Sequence, residues 1–480
     1  MGSDFFSKIG DIAVVFDGPH ATPKKIEKGP YFLSISSLDS GKLDLEKSAH
    51  LSEEQFIKWT KRVTPEEGDI LFSYETRLGE AALMPSGVKA CLGRRMGLLR
   101  PDRAKVIPEY LLYAYLGPEF QQEIKKRTIH GATVDRIALK ELPDFNIRVP
   151  DVFEQKKIVQ ILKSIDQKIQ LNRQTNQTLE QMAQALFKSW FVDFDPVIDN
   201  ALAAGNPIPE ELQARAQRRQ QQLAKPHHQP LPDDVRQLFP SEFEETEALG
   251  WVPKGWISKP FGELLDQTIG GDWGKEVPDD KHTVESVIVR GTDIPHLASG
   301  SQSSAPTRWV EPKKLKTRSL SDSDIVIEVS GGSPTQPTGR SIMMTENLLV
   351  RLGGTVEPAS FCRKFRPINK EIGLVLGLHL QKIYADGKTW EYQNTSTGIS
   401  NFQTKTFLSS ELVLMPDNVE LINKFYSLTR PYIDKMTSND SIKLEKLRDT
   451  LLPKLISGEL RLPESMLDSE TNPPAEAAYE

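Results

Sequence analysis

One stretch of this chain occurs twice, and few folds can carry it. Residues 150–191, PDVFEQKKIVQILKSIDQKIQLNRQTNQTLEQMAQALFKSWF, open with Pro150, Asp151 and Glu154; residues 416–457 open with Pro416, Asp417 and Glu420, each 266 positions later. Asp151 suits a helix N-cap, with Glu154 as its capping-box partner. From there Ile158, Leu162, Ile165, Ile169, Asn172, Asn176, Leu179, Ala183, Leu186 and Trp190 alternate steps of four and three, which keeps one stripe facing a partner helix. Asn172 and Asn176 weaken that seam but can fix its register, because a buried amide must meet another polar group. The second copy is rougher: Phe425, Leu428, Tyr432 and Met436 lead into a weak patch at 438–441, after which Leu444, Leu447 and Leu451 resume. Pro431 predicts a kink, and Pro453 an end or bend in the last turn. Two such helices in one chain are expected to pack antiparallel. The competing reading is two unrelated amphipathic helices, each lying on its own domain.

The repeat extends beyond the helices. Residues 1–150 mix short β-like runs with helical patches such as 108–126, and 256–415 repeat the plan. KIGDI at 8–12 answers PFGEL at 260–264, LSISSLD at 33–39 answers VRGTDIP at 289–295, and GDILFS at 68–73 answers SDIVIE at 323–328. Arg100-Pro101 answers Arg366-Pro367, and HGATVDRIALKEL at 130–142 answers STGISNFQTKTFL at 396–408. The offset between partners changes only at loops, as a duplicated domain leaves it. The expected fold class is therefore α+β: two similar globular domains, 1–150 and 256–415, joined by two long antiparallel coiled-coil helices, 151–192 and 416–458, in a pseudo-twofold internal repeat. Residues 193–255, rich in Pro, Gln and Arg, read as a linker or spacer, and 459–480 as an acidic, disordered tail. The His227-His228 pair in the linker has no acidic or Cys partner at ligand spacing and reads as a solvated feature.

Composition removes several classes of function. No apolar run approaches the length of a membrane span, and Cys91 and Cys362 lack the spacing of a zinc site or a disulfide framework, which fits a cytoplasmic protein. The net charge of −6 argues against a free-standing nucleic-acid binder, so any DNA affinity needs charge segregated on one face or supplied by a partner. Catalytic signatures fail on spacing. GGDWGKE at 270–276 and GGSPTQPTGRS at 331–341 are not phosphate-binding loops, and no GxGxxG follows a strand. NPPA at 472–475 lacks the aromatic that a base-flipping amino-methyltransferase needs after its paired prolines. The chain reads as a recognition protein without a catalytic centre.

LEQMAQALFKSWFVDFDP (179–196), LGWVPKGW (249–256), GGSPTQPTGR (331–340) and LEKLRDTLLPKLISGELRL (444–462), together with the duplicated layout, resemble the specificity subunits of type I restriction–modification enzymes. The resemblance implies that each globular domain is a target recognition domain reading one half of a split site in double-stranded DNA. It implies that the two helices serve as spacer and as platform for two methyltransferase subunits, with motor–nuclease subunits joining them. It also implies no cofactor in this chain, the partners using S-adenosylmethionine, ATP and Mg. Independently of the family, two readers held by helices of about 37 residues, about 55 Å at 1.5 Å per residue, are bounded at roughly one and a half DNA turns apart.

Candidate DNA contacts follow from loop position and residue type. Tyr74, Thr76 and Arg77 follow the GDILFS strand, and the longer loop at the matching place carries Ser333, Thr335, Gln336, Thr338 and Arg340. A second loop offers His130, Thr133 and Arg136, matched by Ser400 and Asn401. Arg94, Lys126, Arg127, Arg363 and Lys364 are candidate phosphate contacts, each weighed against an ordinary solvated face. Partner contacts are expected at Phe187, Trp190, Phe191 and Phe194, an apolar excess beside the coiled coil, and at Leu451 and Leu455; packing within the chain is the alternative. The rival to the whole reading is a non-catalytic coiled-coil scaffold that binds protein rather than DNA.

Overall fold

The computed structural model describes residues 5–463 apart from 132, 227–228, 334, 397–398 and 439. The His227-His228 pair and the tail beyond 463, with its NPPA motif, lie outside the described residues. The chain divides into two compact units, residues 1–168 with 444–480, and residues 169–443. Each unit is thus a globular domain together with helical segments from both copies of the repeated stretch, whereas the sequence placed the domain boundaries at the helix ends.

The two units share one topology. In the first, Ala13–Asp17, Met96–Pro101, Ile70–Ser73 and Ala81–Leu83 form a four-stranded antiparallel sheet in that spatial order. In the second, Leu265–Gly270, Cys362–Pro367, Ile325–Glu328 and Ser341–Met343 do the same. Beside each lies a smaller three-stranded sheet with one antiparallel and one parallel pairing: Ala49–His50, Ile26–Phe32 and Ala90–Cys91 in one unit, Thr307–Val310, Val284–Val289 and Thr355–Pro358 in the other. The sheets are built from runs such as ILFS and IVIE, buried at every position, as strands covered on both faces require.

The repeated Arg-Pro explains itself here. Arg100 donates to both oxygens of Asp69 at 3.0 and 2.8 Å, and Arg366 to both oxygens of Asp324 at 2.8 and 2.7 Å. Each aspartate also accepts a backbone N–H from the turn before its strand, Glu66 in one unit and Ser321 in the other. Such a fork ties the central strand to its neighbour's turn with two charge-assisted bonds.

The first repeated stretch forms one helix, Val152–Phe191, of 40 residues, capped by the Asp151 carboxylate on the Glu154 N–H. Glu154 itself turns to Arg148 at 3.1 Å. The second stretch is interrupted: Val419–Met436 and Asp440–Ser457 are separate helices. Thr437 ends the former, its hydroxyl bonding back to the Ile433 carbonyl, at the edge of the weak patch in the seam. Neither Pro431 nor Pro453 ends its helix. Both helices run through them, and Gly458, at φ +75°, terminates the second five residues after Pro453. Arg148 enters beside that glycine and donates to the Ile456 carbonyl at 2.7 Å, closing the helix end.

Within each unit the helical segments pair antiparallel. In the first, Ile158 and Leu162 share a core with Leu455 and Ile456, while Asp166 accepts from Arg448 at 3.2 Å. In the second, Asn176 donates to the Met436 carbonyl at 3.3 Å, the polar partner its place in the seam demanded. Phe425 of the second unit packs on Phe187, Trp190 and Phe191, with Phe239 and Trp256 closing round them. The apolar excess assigned to a partner protein is therefore consumed as core: Phe187, Trp190, Phe191, Phe194 and Leu455 are all buried, and Leu451 is half-buried against its own unit.

Apart from residues 227–228, the segment 193–255, read from its composition as a linker or spacer, carries regular elements. Asp195–Ala204 and Glu210–Leu223 form a helical hairpin, followed by the short helix Asp233–Arg236 and a β-hairpin of Phe243–Thr246 with Gly250–Pro253. The Arg- and Gln-rich run folds because its arginines meet the aspartates of the preceding helix. Arg215 holds Asp195 at 2.6 Å and Asp193 at 3.0 Å, and Arg219 pairs with Asp199. Its apolar contribution is small, Ala216 being the buried residue of that 14-residue helix, which is why composition concealed it.

Candidate nucleic-acid interface

Three backbone hydrogen bonds frame the same rim in both units. In the first, Tyr74 N–H donates to the Arg95 carbonyl at 3.2 Å, Ile137 N–H to the Tyr74 carbonyl at 2.9 Å, and Gly18 N–H to the Met96 carbonyl at 2.9 Å. In the second, Val329 N–H donates to the Phe361 carbonyl at 2.9 Å, Phe402 N–H to the Val329 carbonyl at 2.9 Å, and Gly271 N–H to the Cys362 carbonyl at 3.1 Å. Each rim therefore brings together a tight turn (93–96 or 359–362), the loop after a central strand, and a hairpin (Thr128–Ile129 with Arg136–Ile137, or Gln393–Ser396 with Ile399–Phe402). Glu75 bridges to Arg136 in one unit, and Ser330 pairs with Asn401 in the other. Gly18 and Gly271 are required where the chain passes the turn: a Cβ would stand 2.5 Å from the Met96 carbonyl oxygen in one case and 2.1 Å from that of Pro358 in the other.

In the first unit two clefts flank the turn. One, of about 600 Å³, is lined among others by His20, Tyr74, Arg94, Arg95, Arg136 and Lys140. The other, of about 550 Å³, is lined by Lys25, Ser34, Lys47, Arg94 and Arg95. Arg94 and Arg95 thus stand on the ridge between them. Arg95 has φ +65° and Thr76 φ +73°, a conformation that costs a non-glycine residue of order 1 kcal/mol or more. The two strained residues hold each other, since Arg95 Nη1 donates to Thr76 Oγ1 at 3.2 Å while its Nε lies 3.2 Å from Glu75. The Tyr74 hydroxyl donates to Asp17 at 3.0 Å, and burial together with that carboxylate holds its pKa well above the ordinary tyrosine value, so it stays a donor.

The residues singled out from sequence fall into two groups. Arg94, Lys126, Thr133 and Arg136 project into solvent on the first unit, and His130 is exposed with its ring 3.1 Å from Asp135. In the second unit Thr335 and Gln336 are exposed and Ser333 is half-buried, its N–H donating to the Gln336 carbonyl at 2.8 Å; Asn401 is exposed on the rim hairpin, and Ser400 accepts from Gln393 at 2.9 Å. The others have structural partners. Arg77 donates to the Ile35 carbonyl and pairs with Glu80, and Arg127 pairs with Glu123 and covers the Phe145 ring. Arg340 forks onto the buried Glu328 at 2.9 and 2.6 Å, and Arg363 donates to Thr268 at 2.8 Å. Two are corrected outright. Lys364 is fully buried, its ammonium on the Thr317 and Ser319 carbonyls at 2.5 and 3.3 Å, and burial lowers its pKa. Thr338 is buried and bonds Gln393. Both lie on strand or loop positions whose side chains alternate inward, which residue type alone does not reveal.

Phe361 escaped the sequence reading. It is 66% exposed on the second rim, at the place Arg95 occupies on the first. Extending the Arg100–Arg366 match back five residues would have found the pair.

Comparison with known proteins agrees with this geometry. The family described as Type I restriction modification DNA specificity domain matches residues 6–181. The HindI specificity subunit of Haemophilus influenzae is 27% identical over 434 residues, covering 82% of this chain and 87% of that protein. The MjaIX specificity subunit of Methanocaldococcus jannaschii is 23% identical over 421 residues, covering 86% and 82% respectively. The crystal structure of a type I restriction–modification S subunit from M. genitalium shares the fold, with a TM-score of 0.50 at 14% identity over 94% of this chain and 95% of that one. With its duplicated α+β unit and paired helical segments, the chain is similar in sequence to specificity subunits of type I restriction–modification systems and shares the fold of one of them.

Proposed function

We propose that this chain is the DNA sequence-recognition subunit of a type I restriction–modification complex, each unit reading one half of an asymmetric, bipartite duplex site. The observation that carries the proposal is the pair of rims: one backbone frame, held by equivalent hydrogen bonds, bearing different side chains. A duplicated frame supports two readers of one kind. Divergent side chains support two different half-sites. The exposed cations Arg94, Lys126 and Arg136 supply phosphate contacts, and Thr133, Gln336 and Asn401 are of types that reach base edges.

In this proposal the chain is non-catalytic and cytoplasmic, and the helical segments space the readers and dock two methyltransferase subunits, with motor–nuclease subunits completing the assembly. S-adenosylmethionine, ATP and Mg belong to those partners. Among the described residues no three His, Cys, Asp or Glu side chains form a metal cluster, and no helix is long and apolar enough to cross a membrane. The test is selection of bound duplexes from a random pool by this chain co-purified with its methyltransferase subunit. Two short defined blocks at a fixed gap are expected. A single block, or no enrichment, returns the chain to the scaffold reading.

A further inference from the structure

The two rims differ in chemistry at one matched position on their tight turns. The turn at 93–96 closes with Met96 N–H on the Gly93 carbonyl at 3.4 Å, and the turn at 359–362 with Cys362 N–H on the Ala359 carbonyl at 2.8 Å. The third residue of each, Arg95 or Phe361, gives its carbonyl to the loop after the central strand. The side chain in the first unit is a cation with directional donors. In the second it is a large apolar ring, 66% exposed.

An exposed phenylalanine alone is ordinary. This one sits at the apex of a rim whose glycine neighbour, Gly271, lets backbone press against the turn, and whose flanking loops carry the polar residues Gln336 and Asn401. Arg95 is oriented rather than free. Glu75 and Thr76 engage Nε and Nη1, leaving further guanidinium N–H groups to project. In the major groove an arginine fork matches the O6 and N7 acceptors of guanine, whereas an apolar group matches the 5-methyl of thymine.

Resting on the proposed DNA-reading function, we infer that Arg95 and Phe361 are equivalent specificity-determining residues of opposite chemistry, Arg95 reading a guanine in one half-site and Phe361 the methyl group of a thymine in the other. Glu75 is the positioning residue for Arg95. The inference concerns the chemistry of one base pair per half-site, not whether the chain binds DNA.

The test uses the complex with its methyltransferase subunits and the duplex obtained by selection. Each thymine is replaced in turn by uracil, which removes only the methyl, and each guanine by 7-deazaguanine, which removes the N7 acceptor. One thymine in the second unit's half-site should be sensitive, by about fivefold in affinity, the value of one buried methyl-sized group. That sensitivity should vanish in Phe361→Ala, while the first half-site is unchanged. One guanine in the other half-site should be sensitive by about tenfold, and this should vanish in Arg95→Ala. Phe361→Arg should shift the preferred base at that one position towards guanine. Because Arg95 has internal partners, Arg95→Lys and a matched thermal melt accompany Arg95→Ala, so that loss of fold is told from loss of contact. Uracil replacement silent at every thymine, or Phe361→Ala weakening all sequences equally, overturns the inference while leaving two-block recognition standing. Failure to select two blocks overturns both.

Discussion

The Arg366–Asp324 fork gives the sharpest prediction about what is scaffold and what is reader. Asp324 is 2% exposed and accepts two bonds from Arg366 and one from the Ser321 N–H. In Arg366→Ala the carboxylate keeps only the backbone donor and stays buried. Removing one partner of a buried pair costs roughly 3–5 kcal/mol, but Arg366 is itself a third exposed, so water reaches its side of the pair. About 3 kcal/mol is therefore the reasoned loss, a fall in the unit's melting temperature of about 6–12 °C at the roughly 2–4 °C per kcal/mol of a domain of this size. Asp324→Ala with Arg366→Ala should cost less than the sum of the two single changes, because the double variant leaves no orphan carboxylate. Arg100 and Asp69 should behave alike in the first unit. The assay is calorimetry with half-site discrimination measured below the transition. A loss under about 1 kcal/mol, or a fully stable Arg366→Ala that has lost one half-site, would refute the assignment of this arginine to the scaffold.

Three further outcomes follow from particular contacts. Arg148→Ala removes the donor that closes the helix Asp440–Ser457, and should cost about 2 kcal/mol with amide exchange rising first within residues 444–457. Gly18→Ala or Gly271→Ala forces a Cβ against a backbone carbonyl at 2.5 or 2.1 Å, so each should displace its own rim and weaken one half-site at least tenfold, read by titration with the selected duplex. Glu357 is buried with neither carboxyl oxygen hydrogen-bonded, and burial with the Asp272 carboxylate nearby pushes its pKa up to about 7. Its folded pKa lies above the unfolded one, so its stabilising contribution is complete below about pH 4.5 and is lost as pH rises through about 7. Glu357→Gln should therefore be more stable than the parent at pH 8 by about 2–3 kcal/mol, with a flatter denaturation profile between those limits.

Much of this architecture is legible in the amino-acid sequence, and the gaps have physical reasons. The seam from Ile158 to Trp190 is readable because a period of three and four has one geometric meaning, and Asn176 announced its need for a polar partner. The duplicated sheets are readable because matched strands keep their offset. The break near Thr437 was visible only as a weak patch, since a seam interrupted for a few residues can remain one helix or become two. The helices within 193–255 were not legible because a helix held by Arg215, Arg219 and their aspartates, with little apolar face, has the composition of a linker. Phe187, Trp190 and Phe191 looked like a docking surface because their cover, Phe239, Trp256 and Phe425, is distant in sequence. At the rims the loops were found but not the roles. Arg77 and Arg340 have the right residue type in the right loops, yet Glu80 and Glu328 hold them, while the equivalence of Arg95 and Phe361 is established by the matching hydrogen bonds of their two turns.

Two independent readers on one repeated frame is the central claim, and duplex selection with one rim altered tests it most directly. The complex carrying Arg94→Ala and Arg136→Ala, both exposed on the first rim, is compared with the parent in the same selection. The account predicts that one block loses information while the other block and the gap between them stay unchanged. Loss spread evenly over both blocks, or an altered gap with both blocks intact, would contradict it.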